Sequence, residues 1–330
     1  MLAAIDEARE YVLLEMYLVN SCQIATRFCN ALIGARARGA RTCVLFDGFG
    51  SLGFRRADRR RLLEAGVDLR FFNPLKFRKR ITGNLLRDHR KLLIADKGHA
   101  AVGDQQLAVV TQQVAGDALS ELERVEEAQV HAGLQQAPAA QRHGSLGRLS
   151  LSEARARSDL ATDVLRRIDT AAARAWIMSA YFVPSRRLRT ALRRAARRGV
   201  DVRLLLPGPR TDHPWVRQAA RRFYGKLLRN GVKIWEYQPS MLHAKMILCD
   251  DWVSVGSANL DRWSFRWNLE ANQEIDSAAV ADAASALFER DFVASRAVSR
   301  HHWGQRGRLD RLRENIAGRL DRLLDSWRHP

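Results

Sequence analysis

The sequence has no long hydrophobic run and few cysteines. No stretch approaches the ~18 uninterrupted apolar residues that a transmembrane helix needs, so no membrane-spanning helix is predicted. The four cysteines show neither metal-ligand nor redox-pair spacing: Cys22, Cys29, Cys43 and Cys249. Cys43 and Cys249 lie in apolar runs and are interpreted as small core residues, as expected in a reducing compartment.

The first residues also lack the features of a secretory signal. Met1 to Ile5 lead directly into Asp6 and Glu7, without the basic start and long apolar core of a signal peptide. The sequence therefore predicts a cytoplasmic protein.

Acidic residues are outnumbered. There are 55 Lys+Arg against 36 Asp+Glu, a formal net charge of +19, so an anionic partner is expected. Nucleic acid, an acidic membrane surface and a phosphorylated substrate all fit, and composition does not choose among them. A length of 330 residues suits one large or two ordinary domains with sizeable cores.

Lysine is rare, with seven among the 55 cations, yet it recurs in a pattern that occurs twice. Both copies read His, any residue, Lys, four residues, Asp: His89, Lys91 and Asp96, then His243, Lys245 and Asp250. The four intervening residues are mostly apolar, which predicts a strand buried on both faces. Placed at the start of that strand, His and Lys would point to the same side. Two such strands folded together would surround one small anion with two imidazoles and two ammonium groups.

The sequence resembles the phospholipase D superfamily, which is defined by such paired motifs, and in particular the bacterial cardiolipin synthases. Six stretches carry the resemblance: 46–51, 72–74, 87–91, 181–184, 239–245 and 256–261. The resemblance runs from about the N-terminus to near residue 292, except for one divergent segment.

The resemblance implies a two-step route through a phosphohistidine. His89 is expected to be the nucleophile and His243 the general acid and then base, although the reverse assignment is almost as well supported. Lys91 and Lys245 would hold the non-bridging oxygens without a metal, since a lysine ammonium is a compact positive charge. The family assigns Asp96 and Asp250 to support of the site. No cofactor or metal is expected.

A polar turn follows the second motif strand. Ser257 and Asn259 are expected to donate hydrogen bonds to phosphate or to orient a motif residue. The alternative is that they cap a helix or turn, positions that Ser and Asn favour.

Strands and helices alternate in the same order in the two halves, which indicates an internal duplication and an α/β fold. Residues 37–44 match residues 197–204, and the glycine of each stretch precedes its motif histidine by 50 and 44 residues. The fold class expected is therefore α/β, as two similar phospholipase D-like α/β sandwich halves with pseudo-two-fold symmetry and the active site at their interface.

Four segments are predicted: a first half over 1–103, a divergent segment over 104–160, a second half over 161–295 and a basic amphipathic helix over 296–330. The divergent segment breaks the repeat, because no aromatic residue occurs between Arg78 and Ala175 and residues 104–150 hold eight glutamines. A divergent helical linker and a locally altered reading frame both explain it.

The resulting hypothesis is a phosphatidyltransferase that makes cardiolipin from phosphatidylglycerol or a similar phospholipid. It would lie peripherally on the inner face of the cell membrane, with phospholipid substrates and an anionic membrane surface as partners and no nucleic acid. The rivals are a phospholipase D-type hydrolase or nuclease and a catalytically inactive membrane-binding relative.

Two basic amphipathic stretches are candidates for membrane contact. Residues 185–198 hold seven arginines and no acid, but an ordinary surface helix is favoured there. In the C-terminal stretch, apolar residues recur every three or four positions among arginines: Leu309, Leu312, Ile316, Leu320, Leu323 and Trp327. A helix packed on the protein with a solvated charged face explains this stretch equally well.

Overall fold

A computed structural model describes residues 1–75, 86–96, 99–102, 147–152, 159–261, 264–307, 314, 316 and 317. The chain forms two compact units. Unit 1 comprises residues 1–150 together with Leu269–Glu274, and unit 2 comprises residues 151–268 and 275–330. The first boundary falls within the predicted divergent segment, most of which lies outside the described residues. The late return of Leu269–Glu274 to unit 1 was not anticipated from the sequence.

Unit 1 alternates strands with helices. Its elements are α1 (Leu2–Glu7), β1 (Tyr11–Met16), α2 (Gln23–Ala37), β2 (Arg41–Asp47), α3 (Arg56–Glu64), β3 (Asp68–Phe72), β4 (Arg87–Asp88), β5 (Leu92–Ala95) and β6 (His99–Val102), and β7 (Gly147–Ser152) begins in it. Five strands form a sheet in the order β3-β2-β1-β5-β6. The first three are parallel, and β5 runs antiparallel to β1 with Leu92 opposite Glu15.

Unit 2 has its own set of elements. They are α4 (Asp159–Thr170), β8 (Arg174–Met178), α5 (Arg186–Arg197), β9 (Asp201–Pro207), α6 (Pro214–Arg221), α7 (Tyr224–Leu228), β10 (Lys233–Tyr237), β11 (Met246–Cys249), β12 (Trp252–Gly256), α8 (Ser264–Trp267), β13 (Asn268–Asp276), α9 (Ala278–Val293), β14 (Ser295–Ala297) and α10 (Arg300–Gly304). The central residues of β13 belong to unit 1, where β13 pairs with β4.

The strand order β10-β9-β8-β11-β12 of unit 2 repeats that of unit 1, with three parallel strands followed by the antiparallel motif strand. Each sheet buries its own core: Val12, Leu32 and Leu62 are among the buried residues of unit 1, and Ile177, Leu192 and Leu204 among those of unit 2. The α/β class and the repeated order of elements are confirmed.

The duplication extends to the ends of equivalent helices. Arg38, at the C-terminus of α2, donates to the carbonyls of Ile5 and Ala8, which end α1. Arg198, at the C-terminus of α5, donates to those of Ile168 and Ala171, which end α4. A glycine with positive φ follows each arginine, Gly39 at 98° and Gly199 at 94°, because a left-handed residue that closes a helix carries little strain when it lacks a Cβ. The similar residues 37–44 and 197–204 therefore form the same arginine contact and the same glycine turn in both units.

Two helices of unit 2 differ from what the sequence predicts. The sequence predicts a helix over 168–175, but these residues include only the end of α4, which begins at Asp159 and stops at Thr170. It also predicts a single helix over 216–228, but the structure has two short helices, α6 and α7, with a break near Arg222.

The described C-terminal residues pack against unit 2. Trp303 and Ala317 join its core, and Arg306 pairs with the buried Glu314 at 3.1 Å. Ile316 is half exposed, whereas Leu309, Leu312, Leu320, Leu323 and Trp327 lie outside the described residues.

Helix α5 is a surface helix of unit 2, as favoured from the sequence. Its face of Leu188, Ala191, Leu192 and Ala195 is buried, and the Ser185 side chain caps its first turn by accepting from the Leu188 N–H. No helix in the described parts of the chain is both long and apolar enough to cross a bilayer.

Candidate active site

The two motif strands are short and completely buried. Every residue of β5 and β11 is buried, as the apolar four-residue intervals predicted. His89 and Lys91 do not lie on β5 but in the extended segment before it, and His243 and Lys245 likewise precede β11. The expectation that strand alternation sets the side of His and Lys was therefore wrong. Instead, hydrogen bonds position this segment, such as that from the His89 N–H to the Leu269 carbonyl at 2.9 Å.

The motif aspartates lie at the other end of the motif strands from the histidines. The Asp96 carboxylate accepts the backbone N–H groups of Arg9, Glu10 and Tyr11 at 2.8–2.9 Å. The Asp250 carboxylate accepts those of Ala172, Ala173 and Arg174 at 2.8–3.0 Å. In each unit the aspartate thus ties the end of the motif strand to the start of the central strand, β1 or β8.

Both aspartates have left-handed backbones, with φ of 45° at Asp96 and 50° at Asp250, a conformation that Asp tolerates better than most residues. Burial raises the pKa of Asp250, but hydrogen bonds from three N–H groups and the nearby Arg174 outweigh it and leave that pKa below its ordinary value. The carboxylate is therefore ionised at neutral pH, which strengthens the bonds that it accepts.

His89 has two close neighbours in unit 1. The Tyr17 ring, just after β1, lies 4.0 Å from the imidazole, centroid to centroid. Glu270, on β13, is fully buried, and its Oε1 lies 3.6 Å from His89 Nδ1. A carboxylate at Nδ1 favours the tautomer with a proton there, which leaves the Nε2 lone pair available for attack.

A buried ionic network underlies this half-site. Asp47 is fully buried, pairs with Arg87 at 3.3 Å and accepts the Asp88 N–H at 2.9 Å. Arg90, the middle residue of the motif, contacts Asp88 at 3.0 Å and Glu15 at 3.1 Å. A buried charge is retained only when it is paired, so these ion pairs and hydrogen bonds are expected to persist. They hold the backbone in place on both sides of His89.

The same network affects Tyr17. Burial, then the charge of Asp47 and, more weakly, that of Glu270, raise the pKa of its hydroxyl, while Arg87 lowers it. The hydroxyl therefore stays protonated at neutral pH, and Tyr17 presents a neutral ring to the imidazole.

In unit 2, His243 lies beside Tyr181, with ring centroids 6.4 Å apart and the planes at 82°. The Tyr181 hydroxyl donates to Asp212 at 2.5 Å, which anchors the ring. Lys245 is buried, and its ammonium donates to the His243 carbonyl at 2.5 Å. Lys91, its counterpart in unit 1, is half-buried.

Ser257 and Asn259 follow β12 and are both buried. The Asn259 side-chain oxygen accepts the Tyr181 N–H at 3.3 Å, so this residue braces the turn that carries Tyr181. Their roles, in binding phosphate or in orienting a motif residue, stay predictions.

The chain is similar to known proteins over nearly its whole length. Residues 164–292 match the family model described as "Cardiolipin synthase, PLD-like domain". Over 98% of its length, the chain is 31% identical to cardiolipin synthase A of Pseudomonas entomophila strain L48 and covers 72% of that protein. The chain belongs to the cardiolipin synthase family. It is also 34% identical over 298 residues to cardiolipin synthase B of Salmonella typhimurium strain LT2, of which it covers 71%.

Solved structures show the same fold. Phosphatidylserine synthase from Haemophilus influenzae Rd KW20 superposes with a TM-score of 0.69 over 98% of this chain and 90% of its own, at 11% identity. Polyphosphate kinase from Porphyromonas gingivalis gives 0.58 over 91% of this chain and 46% of its own, at 14% identity. Family membership makes the chain a phospholipase D-type phosphatidyltransferase.

For this member of the cardiolipin synthase family, sequence reasoning did not assign Glu270 or Tyr17 to the half-site. Glu270 lies in β13, where six consecutive residues from Glu270 to Ile275 are buried although four of them are polar or charged. The signal in the sequence was a run of polar residues in the strand that follows the Ser257–Asn259 turn and α8, since polar groups that become buried require partners.

Proposed function

We propose that the chain transfers a phosphatidyl group to the hydroxyl of a second phospholipid and so makes cardiolipin from phosphatidylglycerol or a similar glycerol-bearing lipid. The contact of Glu270 with His89 Nδ1, at 3.6 Å, is the observation that carries the assignment of roles. This contact favours an imidazole whose Nε2 carries no proton, so that its lone pair is available as a nucleophile requires.

In the first step, His89 Nε2 attacks phosphorus while the P–O bond to the leaving headgroup breaks. The His243 imidazolium gives its proton to the leaving alkoxide. In the second step, neutral His243 takes the proton of the acceptor hydroxyl, whose oxygen attacks phosphorus and releases His89. Proton transfer of this kind contributes about 10²–10⁴-fold in rate.

The lysines and the buried network serve this chemistry. Lys91 and Lys245 neutralise the non-bridging oxygens of the phosphate, where negative charge concentrates in the transition state. Asp96 and Asp250 hold the strands that follow the two His-Lys pairs, through their bonds to the starts of β1 and β8. Ser257 and Asn259 are proposed to bind phosphate or to orient the residues that do.

We further propose that the protein works at the inner face of the cell membrane, where its substrates are found. Its charge of +19 suits an anionic membrane surface.

The experiment compares wild type with H89A, H243A and H301A on phosphatidylglycerol liposomes and on single-stranded DNA. His301 is an exposed residue of α10 and serves as the matched control. H89A and H243A are expected to lose cardiolipin formation by at least about 100-fold, and H301A to retain it. Cardiolipin synthesis by H243A would refute the mechanism. Phosphatidic acid or cleaved DNA as the main product would identify a hydrolase instead.

Peptide mapping of protein quenched during turnover would assign the nucleophile. A phosphatidyl adduct on His89 is expected, and an adduct on His243 would reverse the two roles.

A further inference from the structure

The His89 end of unit 1 exposes several large apolar side chains. Leu18, Phe49 and Leu52 are exposed by 64, 49 and 65% and are called the apolar rim below. Leu18 directly follows Tyr17, whose ring contacts His89, and Phe49 packs against the guanidinium of Arg87. The rim therefore lies in the same loops as the candidate active site of this unit.

Two loops build this surface and are joined by main-chain bonds. The Val19 N–H donates to the Gly50 carbonyl at 3.2 Å, and the Ser21 N–H to the Gly53 carbonyl at 3.1 Å. A Cβ at Gly50 would lie 2.0 Å from the Tyr17 carbonyl oxygen, so only glycine allows the loops to approach this closely. The rim is a fixed surface and not a chance exposure of separate side chains.

The sequence segment that carries the rim has more cations than acids. Residues 17–63 contain nine arginines and only two acids, Asp47 and Asp58. Asp47 is fully buried, and Asp58 accepts the Ser21 hydroxyl at 2.5 Å. Arg55 and Arg56, which follow the second loop directly, are exposed.

We propose that the apolar rim and the arginines beside it dock unit 1 on an anionic lipid bilayer. Aliphatic and aromatic side chains enter the boundary between headgroups and acyl chains, while arginines next to them bind lipid phosphates. A second copy of this chain fits less well, because two such surfaces would repel each other. The inference rests on the proposed function for the identity of the substrate, but membrane binding is measured independently of turnover.

Docking at this place would present His89 directly to headgroups.

The test is sedimentation of the full chain with vesicles of phosphatidylglycerol and phosphatidylcholine, or of phosphatidylcholine alone. L18S/L52S is expected to weaken binding to the anionic vesicles at least tenfold. R55Q/R56Q should weaken it by about 25-fold, since each cation near the surface contributes about fivefold. All four side chains are exposed, so the melting temperature should not change.

Matched controls are V293S, which removes an 88% exposed valine in unit 2, and R186Q/R187Q, which removes two exposed arginines from α5. Both are expected to bind like wild type. The proposal would be overturned if V293S lost as much binding as L18S/L52S, or R186Q/R187Q as much as R55Q/R56Q. It would also be overturned if L18S/L52S bound like wild type, or if wild type bound both vesicle types equally. Loss of binding in I316S alone would place the contact on the C-terminal segment and would also overturn it.

Turnover separates this inference from the proposed function. On a monodisperse short-chain phosphatidylglycerol, L18S/L52S should retain the wild-type rate. If wild type binds vesicles through the rim but transfers no phosphatidyl group, the docking surface stands and the proposed function fails.

Discussion

Replacement of Glu270 by glutamine tests the half-site of unit 1 most directly. The substitution keeps the shape of the side chain and removes its charge. In the proposed first step, His89 becomes positively charged as Nε2 bonds to phosphorus, so a carboxylate beside Nδ1 stabilises the transition state more than the free enzyme. Glutamine in its place would leave that positive charge without its counterion.

The distance sets the magnitude. At 3.6 Å and an effective dielectric constant of about 20, two unit charges interact by about 4–5 kcal/mol. The imidazole side chain is 25% exposed, so solvent screening reduces the effect to about 2–4 kcal/mol. E270Q should therefore lower kcat by roughly 30- to 1,000-fold.

The assay is steady-state cardiolipin formation in mixed micelles, with kcat and KM measured separately beside the melting temperature. KM should change little, because the lost interaction develops only in the transition state. The melting temperature should stay the same or rise, since the substitution neutralises a fully buried carboxylate.

E274Q, which neutralises another buried acid of β13, is the matched control and should stay within about threefold of the wild-type rate. Wild-type turnover by E270Q, or an equal loss in E274Q, would refute the catalytic interpretation of the Glu270 contact.

Three further predictions concern the neighbouring residues. D250A should lower the free energy of unfolding by about 2–3 kcal/mol at pH 7, measured by urea denaturation, whereas D251A, at an exposed neighbour, should have little effect. Because folding lowers the pKa of Asp250, its contribution is present above the unfolded pKa of about 3.9 and is lost as the pH falls through the folded pKa. The difference between wild type and D250A should therefore shrink below pH 4, and a constant difference would contradict the role of the ionised carboxylate. Y17F should keep most of the activity because the ring against His89 remains, whereas Y17A should lower kcat at least tenfold; an equal loss in both would assign the effect to the hydroxyl. G199A should cost about 1–2 kcal/mol in thermal unfolding from backbone strain alone, because no atom lies within 4 Å of the added Cβ, and an unchanged melting temperature would refute this.

The sequence predicted those parts of the fold that depend on local patterns. The apolar intervals after Lys91 and Lys245 were correctly predicted to be buried strands, because four consecutive apolar residues have no solvated face. The repeat around Gly39 and Gly199 was also evident, since both glycines close a helix with the same left-handed turn.

The environment of His89 could not be predicted in the same way. Glu270 comes from a segment that returns to unit 1 about 180 residues later, and hydropathy favours exposure for such a polar segment. The placement of His89 and Lys91 before β5 was missed because it depends on a hydrogen bond from His89 to Leu269, which no local pattern specifies. Long-range polar pairing thus determines the part of the site that periodicity does not describe.

The late return of Leu269–Glu274 has a consequence for synthesis on the ribosome. At about 5–20 residues per second, the ribosome adds Glu270 roughly 10–35 s after His89. During that interval the nascent chain contains the nucleophilic histidine but not the carboxylate that orients it. An unfinished polypeptide therefore cannot assemble a competent His89 centre, and the chemistry begins only after translation has passed the second motif and reached Glu270.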